Sequence, residues 1–229
     1  MRTILTRIFL FSVILLLAAG CARGEPISTL AAVTEAAETA TLTDIDGNTY
    51  PVLQIGEQVW MGTNLQATHG PGGEPVESFC YEAREDNCQT YGRLYTMSAA
   101  MGGDRGEGAQ GICPDGWHIP SMSEWKIMID HLGGQEVAGK ALKETGTGHW
   151  AEASPGEGDQ SGMGILPSGW FDFTGEYRGL GGACFLRSSS APNPAYAFIW
   201  MLESQSDGVK RGDLHPNDAI PLRCVQDGE

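Results

Sequence analysis

The sequence predicts a loop-rich α+β single domain of short antiparallel strands and two or three short helices, and three observations predict it. Glycine is abundant, 32 of 229 residues, and the apolar runs between glycines are short, so turns outnumber long elements. The stretch from Leu42 to Met61 alternates in the manner of strands and is broken by two turn-forming pairs. Residues 122–132 carry a helical period with start and stop signals at both ends.

The opening stretch reads as a β-meander. Leu42 leads into an Asp46-Gly47-Asn48 turn, Thr49 to Ile55 follows, and Gly56-Glu57 turns the chain into Val59-Trp60-Met61. Arg93 to Met101 is a candidate short helix. The clearest helix is Met122 to Leu132: Pro120 precedes it, Ser121 and Glu124 form a capping box, and Gly133-Gly134 ends it. Trp125, Met128, Ile129 and Leu132 fall on one face of it. A weaker helix covers Val137 to Lys143. After Gly162 short apolar and aromatic runs return among dominant loops, and Ile220 to Val225 forms a last strand. No internal repeat is visible.

The N-terminus has the three regions of an export signal. Arg2 and Arg7 supply positive charge, Ile8 to Leu17 is apolar except for Ser12, and Ala18, Ala19 and Gly20 lead into Cys21. The apolar run is too short to span a bilayer, which takes about 20 residues. Leu17-Ala18-Ala19-Gly20-Cys21 resembles a bacterial lipobox, departing from the commonest form at Ala18. The resemblance implies a signal peptide over residues 1–20, lipidation at Cys21, and a flexible tether over 21–40, with the folded domain over 41–229. Acyl chains gain about 0.8 kcal/mol per buried CH₂, so the lipid serves as the membrane anchor. Ala22 and Arg23 carry no aspartate retention signal, which directs the expectation to the outer membrane or cell surface.

Charge narrows the partners. Removal of Arg2 and Arg7 with the signal takes the formal charge from −15 to −17. An acidic surface repels phosphate backbones, so no nucleic acid is expected as a partner. Of six cysteines, Cys21 is assigned to lipid, leaving Cys80, Cys88, Cys113, Cys184 and Cys224 for at most two bridges. Cys80 and Cys88 flank a polar loop and make the local pair. Loop-closure entropy gives that bridge roughly 2.6 kcal/mol, and one from Cys113 to Cys224 roughly 4.8. Cys184 is then the odd thiol, a small buried hydrophobe. A cysteine metal site lacks any C-x-x-C spacing.

Five blocks carry a family resemblance: DIDGNTYPVLQIGEQVWMGTNL, CYEAREDNCQTYGRLYTMSAAM, CPDGWHIPSMSEW, GILPSGW and the terminal LRCVQD. In this order, over residues 42–227, they resemble the Fibrobacter succinogenes major paralogous domain. That resemblance implies secreted or lipid-anchored bacterial surface proteins with no established activity. It also implies a layout similar to the C-type-lectin-like and formylglycine-generating-enzyme-like folds, in which a W-H block introduces a helix and a late R-C-V strand closes the domain. One departure stands out: the family's F-W-S-S-like block is Phe185-Leu186-Arg187-Ser188-Ser189 here, with Arg187 near the tryptophan.

Motifs for chemistry are sparse. Asp44-Ile45-Asp46-Gly47-Asn48 resembles the start of a calcium loop, but position twelve is Ile55, not a bidentate glutamate, so a hairpin turn is expected. Lectin-type calcium ligands are incomplete at Ala191-Pro192-Asn193 and at His215-Pro216-Asn217-Asp218, although Asn217 and Asp218 could ligate a structural ion. The histidines at 69, 118, 131, 149 and 215 form no metal pattern, and His118 is expected to be a hydrogen-bonded structural residue. Ser188 to Ser190 has no nucleophile-elbow setting. Gly102-Gly103 and Gly179 to Gly182 lack a phosphate-loop context, and Arg211-Gly212-Asp213 is a chance tripeptide. No metal or other cofactor is expected.

Aromatic and polar residues mix between Ile165 and Trp200. A few exposed rings among carboxylates and amides would suit stacking on sugars or gripping an extended peptide, while most such rings fill a core. Trp170, Tyr177 and Trp200 are the candidate binding residues. The expectation is therefore a non-catalytic surface module for polysaccharide or a surface protein. The rivals are an enzyme of the formylglycine-generating type using a free cysteine, and a structural envelope protein.

Overall fold

The structure is a computed structural model in which residues 40–152, 158–191, 193 and 196–228 are described. The signal, the tether and Cys21 lie outside the described residues, which all belong to one compact unit, Glu38–Glu229.

The alternating N-terminal stretch folds as the expected meander of β1 (Thr41–Thr43), β2 (Thr49–Ile55) and β3 (Gln58–Met61). Asp44 makes the first turn. Its Oδ1 accepts the backbone N–H of Asp46 and Asn48 at 3.0 and 2.9 Å, and its Oδ2 accepts the Tyr50 hydroxyl at 2.5 Å. Both carboxylate oxygens thus serve protein donors, as in a hairpin turn rather than a calcium loop. Gly47 takes the left-handed backbone (φ +85°) that the turn requires.

The polar stretch between Cys80 and Cys88, expected as a loop, is instead a 3₁₀ turn at Tyr81–Ala83 running into α1 (Glu85–Tyr91). Glu85 and Asp86 sit in the first turn of α1, where carboxylates favour the helix dipole. Asn87 Nδ2 donates to the Tyr81 carbonyl at 2.8 Å, and the Cys80–Cys88 disulfide closes the unit. The predicted helix over 93–101 shrinks to α2 (Met97–Met101) because Leu94 pairs with Phe79 and Tyr95 with Ile220 in extended backbone. Thr96 caps α2.

β4 (Trp117–His118) then leads into α3 (Met122–His131). The capping box is complete: Ser121 Oγ accepts from the Glu124 N–H at 3.1 Å and Glu124 Oε2 accepts from the Ser121 N–H at 2.7 Å, a cap worth about 1 kcal/mol. Trp125, Met128 and Ile129 are buried, while Leu132 packs at the margin. α4 (Ala138–Leu142) follows. The second half, expected to be mostly loops, contains a hairpin of β5 (Ser168–Phe171) and β6 (Tyr177–Leu180), then an antiparallel sheet of β7 (Ala183–Arg187), β8 (Ala197–Glu203) and β9 (Lys210–Leu214). The last strand, expected over 220–225, reduces to β10 (Val225–Gln226); Ile220 instead bridges to Tyr95. The class is the predicted α+β, with four short α-helices among the described residues.

β10 enters between β3 and β4, giving a five-stranded sheet in the order β1-β2-β3-β10-β4. This sheet divides the two main cores. Trp60 and Ile55 face α3, where the Trp60 and Trp125 rings lie 4.5 Å apart, while Tyr50 and Met61 pack with Trp117, Cys113 and Cys224. A disulfide joins Cys113 to Cys224. Beside it both His118 ring nitrogens face carboxylates: Nδ1 lies 2.6 Å from Asp227 and Nε2 lies 2.8 Å from Glu124. Only the doubly protonated imidazolium donates to both. Burial alone would push its pKa down, but the hydrogen bonds and charges of Asp227 and Glu124 outweigh that and hold it above its ordinary value.

Two predictions follow from this closure. Replacing Cys113 and Cys224 with serine should cost roughly 4.8 kcal/mol in denaturant unfolding, against roughly 2.6 for the Cys80/Cys88 pair; equal losses would mean that loop closure is not the source. A folded pKa raised above the unfolded value gives stability that is full below about pH 6.5 and lost as pH rises through the folded pKa. The melting-temperature gap between wild type and His118→Gln should therefore be wider at pH 5.5 than at pH 8.5, and a gap independent of pH would refute the imidazolium assignment.

Candidate functional site

An open groove of about 640 Å³ lies between the C-terminal end of α2, the glycine-rich loop over residues 102–108 and the segment after β7. Met97, Met101 and Pro216 supply its apolar surface, and Ser189, Asn193 and Asp104 supply polar groups. Backbone bonding sets its walls. Gly102 closes α2 in the left-handed conformation, and Gly103, Gly106 and Gly108 continue with positive φ, so the loop turns tightly where side chains would be strained. The Met97 N–H donates to the Pro216 carbonyl at 2.9 Å.

The serine run holds these segments together. Ser189 Oγ accepts from the Gly108 N–H at 3.0 Å and donates to the Pro120 carbonyl at 3.3 Å, and Ser190 Oγ accepts from the Met122 N–H at 3.0 Å. Ser188 Oγ accepts from the Ser190 N–H at 2.9 Å. These hydroxyls are structural links, consistent with the absence of a nucleophile motif. Among the described residues, no histidine lines the groove.

Behind it sits Arg187, 2% exposed, with Nη2 donating to the Tyr95 carbonyl, Nη1 against Met97 Sδ at 3.3 Å, and Nε buried without a partner. Burial pulls its pKa down to about 9, with Asp218 opposing. At the position near the family's tryptophan, then, the chain buries a cation against a carbonyl.

The predicted aromatic face does not assemble. Trp200 is 6% exposed, in the core with Trp125, so it is not a surface platform. Trp170 is half-buried, edge-on to Phe185 at 4.8 Å, and fits only because Gly179 has no Cβ to strike its ring. Tyr177 is half-buried between Phe171 and Tyr81. These three sit where alternate strand residues meet neighbouring elements. The exposed rings are Phe173 (62%) and Tyr196 (47%). Phe173 lies at the tip of the β5–β6 hairpin, in a turn built by Asp172, whose Oδ1 accepts from the Thr174 and Glu176 N–H groups at 2.9 and 3.0 Å. The Thr174 hydroxyl first, then Arg178, hold the Asp172 carboxyl well below the usual range. The D-x-T-G-E string around Phe173 was the available signal for an exposed tip.

Phe173 packs on His215, ring centroids 4.6 Å apart, one residue before the groove residue Pro216. Asp218 secures both: Oδ1 accepts from the Phe173 N–H at 2.8 Å and Oδ2 from the His215 N–H at 3.1 Å. Each of its two oxygens accepts from a backbone donor. Cys184 is the free cysteine among the described residues; it is fully buried, accepts from Ser168 Oγ at 3.5 Å, and burial pushes its thiol up.

Fold and groove together define a small disulfide-linked α+β domain with an open cleft. The chain belongs to the Fibrobacter succinogenes major domain family, whose model matches residues 53–226. No curated protein and no solved structure matches it.

Proposed function

We propose that this chain is a lipid-anchored extracytoplasmic module that binds glycan without catalysis, at the groove between α2 and the segment after β7. The observation that carries the reading is a groove lined by both apolar and polar residues together with the exposed Phe173 ring, which packs on His215, the chain neighbour of the groove residue Pro216. Pyranose rings present apolar faces that stack on aromatics and hydroxyls that meet polar side chains such as that of Asp104. Against the formylglycine-type alternative stands the burial of Cys184, which pushes its thiol pKa up, since the reactive form of a cysteine is the accessible thiolate. The lipid anchor rests on the sequence of residues 1–21.

Two measurements test the reading. In binding assays of the mature protein on a polysaccharide panel, Phe173→Ala should weaken the best ligand at least ten-fold. Its melting temperature should hold, because surface substitutions usually cost under about 0.5 kcal/mol; binding unaffected by the substitution would overturn the site. Cys21→Ser should release the protein from the membrane or leave it unprocessed at the inner membrane, and normal retention of a fully processed variant would sink the anchor.

A further inference from the structure

A second recess, of about 310 Å³, lies on another part of the domain, between the end of α1 and the stretch that follows β3. Its lining is dominated by uncharged polar side chains, among them Thr63, Asn64, Gln66, Thr90 and Tyr91, with one cation, Arg223. Arg223 is 4% exposed. Its Nε donates to Asn64 Oδ1 at 2.7 Å, and its Nη1 donates to the Gly62 and Met163 carbonyls at 2.7 and 3.1 Å. Those contacts leave Nη2 without an acceptor among the described residues, and Arg223 is one of the residues that line the recess. It is the donor left for an occupant of the recess.

The site is built, not incidental. Asn64 is held at both ends, accepting from Arg223 and donating Nδ2 to the Tyr91 carbonyl at 2.8 Å. Gly92, at the end of α1, leaves room for Asn64: a Cβ there would come within 2.5 Å of it. Among the described residues, no carboxylate bonds to Arg223. Desolvation pulls its pKa down to about 10, and Asp159 acts on it only at longer range. A buried guanidinium without a paired anion is costly, and a charge-assisted bond to an incoming anion repays part of that cost.

We propose that this recess is an anion-binding subsite for a small carboxylate carried on a hydroxylated body, such as a uronic acid residue. Arg223 Nη2 would take the carboxylate, and the hydroxyls and amides of Thr63, Gln66 and Thr90 would take the hydroxyls. The volume lies at the small end of ligand pockets, which suits one sugar residue better than an extended chain. Inorganic anions would satisfy Nη2 but leave the polar walls unused. The subsite stands apart from the groove and does not depend on it.

The test is titration calorimetry on the full-length protein in detergent at about 0.15 M salt, where long-range repulsion from the acidic surface is screened. The probes are D-glucuronate, D-glucose, acetate and sulfate. D-Glucuronate should bind at least ten-fold tighter than each of the others. Thr63 is exposed at the rim, so Thr63→Phe should fold normally, obstruct the recess and lower D-glucuronate affinity at least ten-fold. Arg223→Lys should lower it similarly if the variant folds, and Thr63→Phe decides the matter if it does not. D-Glucose, acetate or sulfate matching D-glucuronate, or Thr63→Phe without effect, would overturn the proposal.

Discussion

A strand of two residues holds the domain shut. Val225 pairs with Trp60 of β3 on one side and His118 of β4 on the other, so the last residues of the chain fill a gap between strands laid down far earlier. Two backbone pairings would not hold such a strand unaided, since even an isolated two-stranded hairpin is marginal in water. The Cys113–Cys224 disulfide fixes its start, and the Asp227 carboxylate on His118 fixes its end. His118 in turn bonds Glu124, whose other oxygen completes the cap of α3. Strand insertion, helix start and the Trp60–Trp125 contact are therefore one linked arrangement. Loosening β10 would expose both cores, because the sheet it completes is the wall between them.

Elsewhere the fold secures its loops with buried cations. Lys143 Nζ donates to the Glu203 and Ser206 carbonyls at 3.0 and 2.7 Å over the Trp150 ring, Arg187 reaches the Tyr95 carbonyl, and Arg223 reaches those of Gly62 and Met163. The acceptors are main-chain carbonyls, those of Gly62 and Met163 in loop segments and that of Tyr95 shared with the Ile220 N–H. A glycine-rich chain with short elements leaves many such carbonyls, and each must find a donor when buried. Long cationic side chains supply several donors from one position, at the expense of desolvating a charge. Burial accordingly depresses all three pKa values.

What was legible in the sequence follows from how local each signal is. The meander and the α3 cap were readable because turn pairs and S-x-x-E spacing act over a few residues. The disulfide pairing was readable because few cysteines left few choices. α1 was missed because a seven-residue polar helix has no apolar period; the Cys80–Cys88 bridge and Asn87 stabilise it, and neither acts through periodicity. The degree of burial of the three candidate rings is illegible for a related reason. Trp170, Tyr177 and Trp200 look alike in sequence, and only the pairing of β5 with β6 and of β7 with β8 decides which rings turn inward. Arg223 reads as part of a closing strand, and nothing in LRCVQD signals that its guanidinium would reach Gly62 and Met163.

The exposed Phe173 ring sits on a turn, yet its position is strongly constrained. Asp172 folds the turn from within, and Asp218 grips its backbone from the neighbouring segment while also holding His215. The same Asp218 acts electrostatically on Arg187, whose guanidinium lies against Met97 at the groove. One carboxylate thus connects the aromatic tip, the Pro216 side of the groove and the cation behind α2. A ligand spanning the groove and the ring would meet surfaces whose spacing is already set, so little ordering entropy would be lost on binding. Loops ordinarily trade precision for adaptability. Here buried carboxylates restore the precision, and that is how a domain with few long elements can still present a defined surface.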